Sequence, residues 1–238
     1  MYKRQGIDTT VAKPNAKAEL ILPNGKTFKK GDKVVTYIAR NFEPYRGFPT
    51  FMKAAEVLLK QHKDLHIIAV GADDVSYGKK LGKGQTWRGH MLKQVDLDMD
   101  RIHFPGTLPY ADLMKLFQVS ACHIYLTYPF VLSWSCLESM ACEVALVASR
   151  TQPLEEVVTD GENGLLADIF SPEEVAEKVT KVLTHKDGMQ KMRKAARKTI
   201  EKHYALDKLL PLHVSLVKDI AAKKFPPPTH KKIMKLHK

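Results

Sequence analysis

Cysteine, acid and long apolar runs are what this chain has little of. Its 238 residues include three cysteines. Cys122, Cys136 and Cys142 lie in apolar surroundings and form no C-x-x-C pair. That excludes a disulfide framework and the usual thiolate zinc sites, and it reads as reduced core thiols in a cytoplasmic protein. No apolar stretch approaches the roughly 20 residues that cross a bilayer, and there is no signal peptide. The expected location is cytoplasmic, with the inner face of the membrane as a surface for peripheral contact. Acids number 26 against 38 lysines and arginines, a net charge of +12. Such an excess points to an anionic partner: a nucleotide diphosphate, a membrane surface or nucleic acid. Six lysines and no acid occupy residues 223–238, half of that excess, so the charge says less about the folded part than its total suggests. No basic patch is interleaved with aromatics, which ranks nucleic acid well below the others.

What is present is alternation. With 44% hydrophobic residues the chain can bury a core of one large or two small domains. Residues 33–39 (KVVTYIA), 65–70, 101–105 (RIHFP), 121–126 and 144–148 are short β-branched or apolar runs suited to burial on both faces. Helical spacing covers 48–61, 110–120 with Leu113, Leu116 and Phe117 on one face, and 135–142 with Leu137, Met140 and Ala141. A short helix starts at His90. Residues 75–89 form a long Gly- and Lys-rich loop, and the residues leave open whether it covers a ligand or is an excursion. Asn24-Gly25 reads as a tight turn, and Asp160 to Gly164 as a turn with its glycines and Asn163 at positive φ. Ser171-Pro172-Glu173-Glu174 starts a helix that runs to about Thr184. A second helix, about 188–203, carries a solvated basic face, and a last one covers 206–222.

This order predicts an α/β fold, a doubly wound parallel sheet of Rossmann-like type with right-handed crossovers. Ligands of such sheets bind outside the carboxyl ends of the strands. Arg40, Gly71, Gly106, Phe130 and Ser133 each follow a strand, so they fall on that edge. Arg40 and Arg46 flank a strand-to-helix loop, where permanent charge and planar donors suit a diphosphate. Residues 125–149, YLTYPFVLSWSCLESMACEVALVAS, read strand, loop, helix, strand. The helix aims free N–H groups and its positive end into the loop, a ready phosphate site. Glu138 sits one turn in, within reach of a ligand hydroxyl.

The same stretch resembles the donor-site motif of retaining glycosyltransferases of the GT-B fold, the group 1 or family 4 class. Their pattern is E-G-F-G-L-P-x-x-E-A-M-A-C-G-x-P-V-V-A-S. Glu138 takes its second Glu, and Phe130 stands where the first would be. Val131, Leu132, Ser133, Trp134 and Ser135 replace its Gly-rich loop, and Glu143 replaces the Gly after the Cys. Residues 40–47 resemble G-R-x-x-x-E-K-G, with Arg46 in the place of the Lys, one residue further along. Residues 101–106 resemble V-x-F-x-G, 160–167 resemble D-G-x-N-G-L-L, and 6–14 resemble the segment that joins the two halves of such enzymes.

The resemblance implies the C-terminal, donor-binding half of a GT-B enzyme that moves a sugar from a nucleotide diphosphate to an acceptor hydroxyl. Arg40 and Arg46 would stabilise the leaving diphosphate, and Glu138 would hold the ribose. Gly71, Phe104, Gly106, Leu108 and residues 130–135 would line the donor, which is a UDP-, GDP- or ADP-sugar. No metal or other cofactor is implied: Asp96-Leu-Asp98 and Asp98-Met-Asp100 spell D-x-D away from any strand end and read as solvated acids. The implied divisions are a truncated start and linker remnant (1–30), the nucleotide-sugar domain (31–205), a crossing helix (206–222) and a disordered basic tail (223–238). Residues 1–5 look foreign and resemble a translated sequencing adapter, so a fragment is expected, one that lacks the domain for its glycan or lipid acceptor. Two alternatives stand beside this: a non-catalytic nucleotide-sugar-binding subunit, and a basic protein that binds anionic surfaces.

Overall fold

The computed structural model of the chain describes residues 6–224. The expected foreign start and nearly all of the basic tail lie outside them. A hairpin comes first: β1 (Glu19–Ile21) pairs antiparallel with β2 (Thr27–Lys29), and Gly25 in the turn has a φ of 82°. Then follow β3 (Val34–Asn41), a 3-10 turn (Pro44–Arg46), α1 (Phe48–Gln61), β4 (His66–Ala72), α2 (Trp87–Met91), β5 (Ile102–Gly106), α3 (Tyr110–Val119) and β6 (Cys122–Tyr125). The rest is α4 (Trp134–Ala141), β7 (Ala145–Ser149), α5 (Gln152–Glu155), β8 (Leu165–Ala167), α6 (Pro172–Thr184), α7 (Lys186–His203) and α8 (Leu206–Ala221).

Strands β3 to β8 form one parallel sheet in the order β5-β4-β3-β6-β7-β8. The chain starts at the middle with β3, works outward to β5, returns to lay β6 beside β3, and works outward again. The doubly wound expectation is met, and its switch point lies between β3 and β6. In β3, Val35 and Tyr37 face one side and Val34 the other. The first side is covered by α1 and α6, which pack on each other, and the second by α3, α4 and α7. Under α1 the core is aromatic: Tyr37 stacks on Phe51 at 4.2 Å and Phe42 on Phe48 at 4.5 Å between ring centroids. Each such ring buried contributes about 1.5–3 kcal/mol.

Two expectations change. Residues 18–30, read as linker, pack on the domain: Ala18, Leu20, Leu22 and Phe28 are buried against Ile68, Val70, Leu116 and Val119. Each hairpin strand buries only its central residue, too little for a period to be visible in the sequence. In the turn after α5, Gly161 has positive φ but Asn163 does not. Asn163 is instead a buried bracket, its amide bonded to the Val157 carbonyl and Thr199 hydroxyl and its oxygen to the Thr159 N–H. Helix α8 buries one residue, Leu209, and exposes Leu210, Val214, Val217 and Ile220. At its start Ile7 bridges to Ala205, with Ile7 N–H on the Tyr204 carbonyl at 2.7 Å. Among the described residues no helix is long and apolar enough to cross a membrane.

Candidate functional site

At the carboxyl end of β3 the chain bends through Glu43 into the 3-10 turn, which Pro44 starts with its fixed φ. Gly47 ends the turn in the left-handed region at φ 65°, and a Cβ there would run into Leu126 at the end of β6. Only glycine lets the two strand ends come this close. The turn delivers Arg46 to the switch point. Its carbonyl accepts the buried Tyr37 hydroxyl at 2.7 Å, and its guanidinium donates to the Thr127 hydroxyl at 3.1 Å. Thr127 is itself held by Ser149, which donates to its carbonyl at 2.8 Å and accepts from its N–H at 3.1 Å. The Tyr128 N–H closes the crevice by bonding the Tyr45 carbonyl at 3.0 Å. The guanidinium carbon of Arg46 lies 4.8 Å from the Phe130 ring centre and 5.6 Å from that of Tyr77. Tyr45, Arg46, Tyr77, Thr127, Tyr128, Pro129 and Phe130 enclose a cleft of about 350 Å³.

The loop from Phe130 leads to α4. Ser133 occupies the N-cap, but its hydroxyl bonds the Ser135 hydroxyl at 2.6 Å and does not cap the helix. No acid lies in the first turn, so no side-chain charge offsets the positive dipole end of α4. Tyr125 fixes the cap by accepting the Ser133 N–H at 3.2 Å. One turn on, Glu138 is buried, and it accepts the Tyr110 hydroxyl at 3.0 Å. Burial pushes the Glu138 carboxyl above its ordinary range, and the Tyr110 bond works against that rise. Tyr110 is the first residue of α3, so two helix starts meet at this carboxylate.

The other expected site residues are distributed less tidily. Arg40 is exposed near the end of β3 and makes no ion pair among the described residues. Gly71 does not end its strand but lies within β4, where a Cβ would meet the Ala39 carbonyl at 2.6 Å and the Phe42 ring at 2.7 Å. Its glycine serves this internal approach. Phe104 packs toward the core, edge-on to Phe42 at 6.0 Å with the Arg88 guanidinium 5.4 Å above it. Leu108 packs into the cluster that holds the hairpin, Gly106 turns the chain at φ 75°, and Leu132 leans on the core beside α4. Val131 is half-buried, Trp134 is exposed at the first position of α4, and Asp98 is paired with Arg101 at 2.6 Å rather than merely solvated. Sequence reasoning missed Glu43, Tyr45, Tyr110, Thr127 and Tyr128. The one visible signal was Glu43, an acid set between Phe42 and Pro44.

Residues 21–199 match the family described as "Glycosyl transferases group 1". An uncharacterized glycosyltransferase of Methanocaldococcus jannaschii is 31% identical over 140 residues, 58% of this chain and 33% of that protein. The D-inositol 3-phosphate glycosyltransferase of Acidothermus cellulolyticus is 24% identical over 189 residues, 75% of this chain and 39% of that one. The chain thus spans about a third of the length of these relatives. In fold it is similar to the C-terminal domain of a glycosyl transferase group 1 family protein of Francisella tularensis, with a TM-score of 0.69, 20% identity, and 84% of this chain and 100% of that domain covered. HepE of Anabaena, solved with UDP-glucose, gives 0.71 at 16% identity over 90% of this chain and 56% of its own.

Proposed function

Because the chain belongs to the group 1 glycosyl transferases, we propose that its carboxyl-edge cleft holds the nucleotide-diphosphate sugar donor of a sugar transfer that retains the anomeric configuration. The observation that carries this reading is Arg46: a permanent cation, fixed by Thr127 from the facing strand end and walled by rings, at the switch point of a doubly wound sheet. The bond from sugar C1 to the diphosphate oxygen breaks, the bond from C1 to the acceptor hydroxyl oxygen forms, and the hydroxyl proton passes to the departing diphosphate oxygen. Negative charge grows on the departing diphosphate, where Arg46 and the uncapped start of α4 stabilise it. Arg40, exposed on the same edge, adds to this field, so that fixed cations rather than a metal ion carry the charge. Glu138, held by Tyr110, accepts the ribose hydroxyls. The acceptor is a glycan or lipid hydroxyl held by a partner domain, as the greater length of the relatives suggests.

Calorimetric titration with UDP, GDP and ADP tests this. One nucleotide binds saturably, and Arg46→Ala and Glu138→Ala each weaken it at least tenfold, the loss of about one charged hydrogen bond. Absence of binding to all three overturns the reading. A second reading, a nucleotide-sugar-binding subunit without turnover, is favoured by one observation: the cleft is lined by rings and contains no carboxylate. It predicts that Phe130→Glu, with an acceptor domain supplied, leaves turnover unchanged.

A further inference from the structure

The loop between β4 and α2 is irregular, yet it is tied down in three places. Asp73 pairs with Arg88 at one end, and Thr86 caps α2 at the other by accepting the Gly89 N–H at 3.0 Å. In the middle, Asn41 donates to the Ser76 hydroxyl at 2.7 Å, and one carboxylate oxygen of Glu43 accepts the N–H groups of both Tyr77 and Gly78, at 3.0 and 2.8 Å. Glu43 is only 1% exposed. A carboxylate is costly to bury, and here backbone amides of this loop satisfy it. Gly78 is part of the fit, since a Cβ on it would stand 3.3 Å from the same oxygen and 3.3 Å from the Tyr45 ring.

The result of these ties is the position of one side chain. Tyr77 keeps 55% of its surface exposed, although the backbone beneath it is bonded to a buried acid. Its ring stands 5.1 Å from that of Phe130 and beside the Arg46 guanidinium. An open aromatic face held rigidly next to a cation is a stacking platform for a ring that carries an anion. We propose that Glu43 is a positioning residue that latches the loop, and that Tyr77 is the specificity residue that stacks on the hexose of the donor. This rests on the donor-site reading and deepens it: Arg46 serves the diphosphate, whereas Tyr77 serves the sugar attached to it.

Two measurements test the proposal. The first is amide hydrogen exchange of the unliganded chain. Glu43→Gln keeps the shape but removes the charge, and the Tyr77 and Gly78 amides then exchange about tenfold faster, while the β3 and β4 amides do not change. Unchanged exchange at those two amides overturns the latch. The second is titration of wild type, Tyr77→Ala, Tyr77→Phe and Gly78→Ala, each with UDP, GDP and ADP and with UDP-glucose, GDP-mannose and ADP-glucose. In wild type the sugar conjugate of the binding nucleotide binds more tightly than the nucleotide alone. Tyr77→Ala loses that margin, about tenfold, the typical worth of one ring contact, and Tyr77→Phe keeps it. Gly78→Ala lies between them. A margin unchanged in Tyr77→Ala overturns the inference alone, whereas a wild type that binds no nucleotide overturns the donor reading and the role of Tyr77 with it.

Discussion

Glu138 and Glu143 sit five residues apart and are costly for different reasons. Glu138 lies where burial disfavours its charge, with the Tyr110 hydroxyl as its hydrogen-bond partner. Its folded carboxyl titrates above its unfolded one, so folding becomes less favourable as pH rises through that interval. Glu138→Gln removes this cost: the variant is about 0.5–1 kcal/mol more stable at pH 7 in urea unfolding, and its nucleotide binding is weakened, a stability-for-function exchange typical of sites. Glu143 carries its cost in the backbone, at φ 57° in the turn between α4 and β7. Glu143→Gly stabilises by about 0.5–1 kcal/mol in the same measurement, since left-handed strain outweighs the added freedom of the unfolded chain. Both glutamates were legible in the sequence through the motif they interrupt or complete. Tyr110 was not, because only folding brings the start of α3 onto α4. The packing of Phe104 and Leu108 was not legible for a related reason: being next to a strand end says nothing about which way a side chain points.

At the scale of elements, the turn at Pro44 to Gly47 determines where Arg46 lies. Gly47→Ala forces a Cβ into Leu126 and a side chain into the left-handed region. It costs about 2–3 kcal/mol by urea unfolding, the sum of overpacking and backbone strain. Nucleotide affinity measured by titration on the folded fraction also falls, because β3 and β6 are levered apart under the cation. The glycine and the strand-to-helix change were plain in the sequence. What was not plain was that Leu126 would be the neighbour, since the pairing of β3 with β6 is a long-range fact. The hairpin was lost for the opposite reason: with one buried residue per strand, its pattern is shorter than any period that could reveal it.

At the scale of the whole molecule, several histidines are held neutral. Burial pushes His103 down to about 4 and His123, bonded through Nδ1 to Thr36, down to about 3, and it also lowers His62 and His66. The unfolded chain takes up protons at these groups below about pH 6.5, whereas the folded chain does not. Stability is therefore full above that pH and falls as acid is added, by up to about 1.4 kcal/mol per pH unit for each of His103 and His123 until its folded pKa is reached, the more exposed His62 and His66 adding less. Urea midpoints measured from pH 7 to pH 4 follow that slope, and His123→Gln flattens part of it. The doubly wound order itself was legible because strands and helices alternate so regularly. Which strand would be central was a matter of topology.

That topology has a consequence for how the chain is made. Of the strands in the parallel sheet, central β3 is the first to be synthesised. Until Cys122–Tyr125 has left the ribosome, β3 can pair on one side only, with β4, and its other edge is a bare row of amides and carbonyls. An open edge of this kind, rich in β-branched residues, invites pairing with any neighbouring chain. Arrival of β6 covers that edge and, in the same event, brings Thr127 to Arg46, so that β3 is shielded from neighbouring chains as the carboxyl-edge cleft takes shape.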